Sequence, residues 1–292
     1  MTQYDVKVAN DASIQEIFFD KNTNKLSYKN EYGIIVAFAP ITGAPAWFEF
    51  NATDLTIWNN GKGNFDTNTS YGDRALRSNI GATGSTAIGY NALSTSVSAS
   101  NSTAVGYSAL ASSLTGGNNT AVGFQALMST TTGNSLVAVG DNALSSNTLG
   151  NNSVAVGSNA LSSQIGQNGV ATNNVAVGSN ALTNTTTSKE NTAIGSVSFL
   201  SNTTGIANVG LGYFTGTGNT TGSGNIAIGH TVATGNFSNS IIIGREASAT
   251  ASNQFVIGSA TYNAGAVTTE AVSSTKTWTV VINGVVQKIL LA

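Results

Sequence analysis

Cysteine is absent from this 292-residue chain, proline occurs only twice, and charged residues make up just 8% of it. Each scarcity removes a class of answer. Without cysteine there are no disulfides and no thiolate metal sites, and the redox compartment leaves no trace. Two prolines beside 33 glycines exclude the Gly-X-Y period of collagen. At 40% hydrophobic residues the chain is also too apolar and too weakly charged for ordinary disorder. The few charges crowd the start: residues 1–77 hold seven Lys/Arg and nine Asp/Glu of totals of 11 and 13, leaving four and four for residues 78–292. Between Arg77 and Arg245 stand only Asp141, Lys189 and Glu190. So neutral a middle cannot gain from counterion release, and nucleic acid is not an expected partner. Long apolar runs are missing as well, since nothing approaches the roughly 18 residues of a membrane span. The segment Met1–Lys7 lacks the basic and apolar regions of a signal peptide. The expectation is synthesis in the cytoplasm, without membrane insertion.

What is present is a repeat, and it governs the reading. A motif [TV]-A-[VI]-G closes on Gly89, Gly106, Gly123, Gly140 and Gly157 at a spacing of 17. A four-residue insertion gives 21 to Gly178, the 17-residue step resumes through Gly195, Gly212 and Gly229, and the last steps shorten to 15 (Gly244) and 14 (Gly258). Gly72 extends the series upstream, for twelve registers. Each unit reads as a β-branched strand, a glycine turn, an Ala-Leu pair three residues on (Ala109-Leu110, Ala126-Leu127) and a Ser/Thr/Asn/Gly loop. Apolar residues do not recur at helical spacing over enough length to form helices.

One strand motif per 17 residues predicts a coil that returns on itself once per repeat, with successive strands parallel and about 4.8 Å apart. The predicted class is all-β, a parallel β-solenoid or β-roll of about 12 coils, which at that rise makes a rod of about 55–60 Å. A lone coil buries about three medium apolar side chains, and each contributes about 1.5–3 kcal/mol. That falls well short of the backbone entropy of 17 residues, about 1–2 kcal/mol each. Only stacking makes up the difference. The insertion at Gln164–Ala171 is expected to bulge sideways. Side chains alternate along the strand, so Ala104, Ala121, Ala138 and Ala155 share one face while Val105, Val122, Val139 and Val156 share the other. Both columns are apolar, which predicts burial on both sides. The small Ala column is the expected contact with a second copy of the chain.

The inventory offers little for catalysis. Acid–base chemistry needs clustered carboxylates or basic groups, and the repeats hold Asp141, Glu190 and the pair Arg245-Glu246. No glycine precedes Lys-Ser/Thr or opens a helix, so phosphate-loop fingerprints do not apply. The expectation is a chain that is not an enzyme and carries no cofactor and no metal. His230, the single histidine, could bind an ion together with its copies in a homo-oligomer, but one ligand per chain is thin support for such a site. The Thr column Thr86, Thr103, Thr120 and Thr192 suggests an ice-ordering row until Val137, Val154 and Val175 interrupt it. Tyr90, Tyr107 and Phe124 follow the motif glycine in three successive coils. They are candidate surface contacts for a sugar, although a stacked aromatic ladder also stabilises parallel coils by itself.

The segment Asn152-Ser153-Val154-Ala155-Val156-Gly157 matches Asn-Ser-Val-Ala-[IV]-Gly, and the repeats thereby resemble the YadA-type head domains of trimeric autotransporter adhesins. The longer run Asn119–Leu127 resembles repeats of bacteriophage fibre proteins. The resemblance covers about residues 68–262 and implies a left-handed, homotrimeric β-roll. The absence of a secretion signal and a membrane-anchoring segment favours the phage relatives. So do the flanks: Phe18–Ala39 reads as a β-meander, and Thr277–Leu291 as a hairpin about Asn283-Gly284. The expected organisation is an attachment region at 1–67, a repeat shaft at 68–262 and a terminal hairpin module at 263–292. The expected function is a virion fibre, on the tail or elsewhere on the particle, whose partners are its own copies, other virion proteins and a host-surface receptor, a glycan among the candidates. The alternatives are a bacterial adhesin head and a carbohydrate-active β-helix enzyme.

Overall fold

The computed structural model describes residues 68–166 and 172–262, together with the backbone of the strands in the flanking stretches. Among the described residues all regular structure is strand, and no helix is long and apolar enough to cross a membrane. The chain divides into two compact units, Met1–Ser135 and Leu136–Ala292.

In the first unit β1 (Ile14–Asp20), β2 (Lys25–Asn30) and β3 (Ile35–Ala37) pair antiparallel in that order. A short antiparallel pair follows, β4 (Glu49–Phe50) with β5 (Ile57–Trp58). The repeats then supply β6 (Thr69–Tyr71), β7 (Thr86–Ile88), β8 (Thr103–Val105) and β9 (Thr120–Val122), each parallel to the next. In the second unit the parallel ladder comprises β10 (Val137–Val139), β11 (Val154–Val156), β12 (Val175–Val177), β13 (Thr192–Ile194), β14 (Val209–Leu211), β15 (Ile226–Ile228), β16 (Ile241–Ile243) and β17 (Phe255–Ile257). An antiparallel pair ends it, β18 (Thr277–Ile282) with β19 (Val285–Leu290); the turn residues Asn283-Gly284 lie outside the described residues.

Both units thus contain parallel β-solenoid with the period read from the sequence. Register is kept residue for residue: Ala87 pairs with Ala104 and Ala104 with Ala121, while in the second unit Ala138, Ala155, Ala176 and Ala193 follow one another. The insertion does not disturb this, because Val154 still pairs with Val175 across 21 residues; residues 167–171 lie outside the described part. The shorter final coils stay parallel too.

Within a coil, a three-residue strand ends at the motif glycine, whose φ of +123 to +139° at Gly89 to Gly229 turns the chain. Two residues further on, and again at the Leu of the Ala-Leu pair, the backbone enters the left-handed region, as at Gln125 (φ 54°) and Leu127 (φ 52°). Non-glycine residues adopt that conformation at a cost of about 1–2 kcal/mol each, so something must offset it. The offset is burial: Leu93, Leu110, Leu127, Leu144, Leu161 and Leu182 have no exposed surface. The N–H groups of Leu93, Leu110, Leu144, Leu161 and Leu182 also bond to the coil ahead, as Leu110 does to the Ala126 carbonyl at 3.0 Å.

The interior is narrow, and this sets which strand face looks in. The Ala column is fully buried inside the single chain, from Ala87 to Ala193, while its Thr, Val and Ile neighbours look outward and are half-buried or exposed. The expectation that Ala meets a sister chain is therefore reversed. A 17-residue coil whose far corner holds a Leu leaves room for a methyl opposite it and no more.

A second feature is a buried polar column just before the strand, in residues that composition alone assigns to loops. Asn174, Asn191, Asn208 and Asn225 stack in successive coils, each buried. The Oδ1 of each accepts the next residue's N–H: Asn191 bonds to Asn174 at 2.9 Å, Asn208 to Asn191 at 2.9 Å and Asn225 to Asn208 at 3.0 Å. Each Nδ2 also donates to a carbonyl beyond, as Asn208 does to Gly222 at 2.9 Å. Asn208→Ala strands the Asn225 N–H in the interior, while the Gly222 carbonyl keeps its bond from Asn219 Nδ2 at 3.1 Å. Such a loss costs about 1–3 kcal/mol, and urea denaturation should show it as a lowered midpoint.

Candidate functional site

With Ala turned inward, the outward surface of each strand is built from the residues on either side of it. In the first unit these are a Thr and an Ile or Val on β7 to β9; in the second they are mostly a pair of aliphatic residues. The aliphatic member is exposed on several coils, with Ile88 at 38%, Val139 at 37%, Leu211 at 48% and Ile257 at 50%, and half-buried on others, as at Val105, Val156, Val177 and Ile228. No ionisable side chain occupies either outward column of β7 to β17. Isolated exposed aliphatics are normal on a protein surface, but a contiguous row marks an interaction site.

The position after the motif glycine forms a neighbouring column. Tyr90 and Tyr107 stack with ring centroids 5.2 Å apart and planes 18° from parallel, and Tyr107 stacks on Phe124 at 5.3 Å and 16°. The Arg74 guanidinium lies 5.6 Å from the Tyr90 centroid, within cation–π range. The structure thus brings together the three aromatics singled out in the sequence, exposed at their edges. Their faces, which a pyranose ring would need, are turned to one another. The second unit repeats the device in mixed form, with His230 stacked on Tyr213 at 5.2 Å and its Nδ1 sharing a hydrogen bond of 2.9 Å with Thr231 Oγ1. In the next coil Arg245 stands 4.3 Å from the Tyr262 centroid.

The motif glycines draw successive backbones together at the corner. At Gly89 an added Cβ would stand 2.5 Å from the Gly106 carbonyl oxygen, and at Gly178 2.5 Å from that of Gly195. In this geometry they let neighbouring coils approach more closely than a Cβ would allow.

Comparison with protein-family models, curated proteins and solved structures finds no match. What the chain is similar to therefore rests on its own repeats.

Chemically the described surface is quiet. Its ion pairs, Asp73–Arg74 at 3.8 Å and Arg245–Glu246 at 3.7 Å, join sequence neighbours and are exposed, so each contributes little. Among the described residues no group of three or more His, Cys, Asp or Glu could hold a metal ion. The residues that reading the sequence missed are the interior Asn ladder and the outward orientation of Val and Ile. The ladder had a signal, a small polar residue at fixed spacing before nearly every strand (Ser85, Ser102, Asn119, Ser153, Asn174).

Proposed function

We propose that this protein is a structural fibre component whose copies associate through the outward strand face, three to an assembly with left-handed coils, and that it serves a bacteriophage particle in attachment to a host surface. The observation that carries the self-association is the uncharged outward row of Val, Ile and Leu, half-buried on some coils and exposed on others. A partner for such a surface must offer apolar side chains at the same rise of about 4.8 Å per coil. Another copy of the chain does so by construction, and a face without charge does not repel itself. The phage setting rests on the resemblance of Asn119–Leu127 to fibre repeats, whereas Asn152–Gly157 resembles the heads of trimeric autotransporter adhesins. On this reading the chain has no catalytic role, and its other partners are virion proteins and a host receptor.

Size-exclusion chromatography with light scattering tests the first part. Wild type should give three times the 29.5 kDa chain mass. The double variant Val156→Lys, Ile194→Lys buries cations in the proposed contact without touching the chain's own interior. It should elute as a folded monomer, with dissociation strengthened at least about a hundredfold by the uncompensated buried charge. A monomeric wild type would remove the proposal. Antibody to the chain should decorate purified virions in electron micrographs; labelling of bacterial envelopes instead would favour the adhesin alternative, and depolymerisation of host polysaccharide the enzyme.

A further inference from the structure

The column after the motif glycine places one phenol directly on another. Tyr90 and Tyr107 stand one coil apart, because Ile88 pairs with Val105 and the Ser108 N–H bonds to the Tyr90 carbonyl at 2.9 Å. Their ring centroids are 5.2 Å apart with the planes 18° from parallel, and both residues are exposed. On its other face Tyr107 meets Phe124, and the Arg74 guanidinium lies over Tyr90. Neither of those neighbours is a phenol. Among the described residues no other two tyrosine rings stack: Tyr213 lies against Phe214 and His230, and Tyr262 against Arg245.

We propose that Tyr90 and Tyr107 form an oxidative cross-linking site, where hydrogen peroxide and a one-electron oxidant of the haem-peroxidase class join the two rings as a dityrosine within one chain. Each phenol gives up one hydrogen atom from its hydroxyl, and the peroxide is reduced to two molecules of water. The unpaired electron of each phenoxyl spreads into π lobes on the Cε carbons beside the oxygen, and those lobes stand perpendicular to the ring. Stacked rings therefore aim their reactive lobes at one another. Coupling forms one Cε–Cε bond. Each bonded carbon then loses its proton and each oxygen regains one, which restores both aromatic rings. The 5.2 Å separation is longer than bonding contact, and exposed side chains cover that difference by motion on the ps–ns timescale. Holding two reactants in the productive orientation favours their reaction by orders of magnitude over random encounter. Because Phe124 follows Tyr107 in the column, coupling stops at a single link. That link closes a loop between adjacent coils of the first unit and requires no association between chains.

The test treats the full chain with hydrogen peroxide and a haem peroxidase, then digests it with trypsin. Cleavage after Arg77 and Lys189 releases residues 78–189 as one peptide that holds Tyr90, Tyr107 and no other tyrosine. From wild type this peptide should carry dityrosine fluorescence and a mass lower by two hydrogen atoms. Tyr90→Phe and Tyr107→Phe, which keep the ring stack, should each lower its fluorescence at least about tenfold. Adding Phe124→Tyr to Tyr90→Phe should restore the signal, through a link between positions 107 and 124. A wild-type peptide no more fluorescent than that of Tyr107→Phe, a link found only between two copies of the peptide, or a double variant that stays dark overturns the site. Each of those outcomes leaves the self-association reading to be decided by elution mass.

Discussion

Gly157→Ala is expected to lower stability by about 3 kcal/mol or more, through backbone strain and overpacking together. Its φ of +131° lies in a region that L side chains rarely adopt, and a Cβ there would stand 2.6 Å from both the carbonyl carbon and oxygen of Gly178. Those atoms belong to the neighbouring coil's backbone and cannot swing aside as the end of a side chain would. Relief requires β11 and β12 to part, which breaks the ladder between Val154–Val156 and Val175–Val177. Urea denaturation followed by circular dichroism should show the midpoint fall accordingly. Gly218→Ala is the control. It has φ +74°, but its nearest neighbour would be the Gly235 Cα at 3.6 Å. Only the left-handed backbone is then penalised, about 1–2 kcal/mol. If the two variants lose equal stability, close approach of the coils is not what the motif glycine provides.

The second large effect is expected at a compensated pair. Ala is the usual central strand residue, yet β14 carries Gly210, and the preceding coil carries Phe199 where the coils before it have Leu, while the β14 coil has Gly216 there, against the Phe199 ring. Phe199 is fully buried, and a Cβ on Gly210 would lie 2.7 Å from its Cδ2 and 2.5 Å from Ser198 Oγ. Gly210 has ordinary strand φ, so the exchange is one of volume alone. Gly210→Ala, which restores the commonest residue of the repeat, should therefore destabilise by about 1–3 kcal/mol. Phe199→Leu alone should leave a void and lose about 1–2 kcal/mol. The double variant removes the Phe199 contact but keeps Ser198 Oγ and Thr215 Oγ1 beside the new methyl and Gly216 where earlier coils have Leu, so it should recover part of both losses, with a coupling of at least about 1 kcal/mol. Strict additivity in the double-mutant cycle would show that the two side chains do not share one space. The same accounting explains Ile242, fully buried at the central position of β16: the coils after Gly229 are short and place no Leu four residues beyond the glycine.

Period, strand position and parallel pairing were legible in the residues alone, because the backbone imposes them. A β-branched triplet followed by glycine every 17 residues can bury its apolar groups only by stacking, and identical coils stack in register. The aromatic column was legible for the same reason: Tyr90, Tyr107 and Phe124 occupy one register position and so had to meet. The interior Asn ladder was written at equal regularity, but Asn174 and Asn191 look like loop residues until a cavity surrounds them, since a polar side chain declares itself buried only through the partners it bonds.

The strand's orientation was out of reach in one dimension. Alternation separates Ala104 from Val105 but is symmetric about which of them faces the interior, and both are apolar. The width of a closed coil broke that symmetry: with Leu110 and its equivalents filling one side, only the smaller residue fits opposite, and Val and Ile are turned out. That single steric decision turned a broader aliphatic column outward in place of a column of methyl groups, and with it moved the face on which the proposed self-association would act.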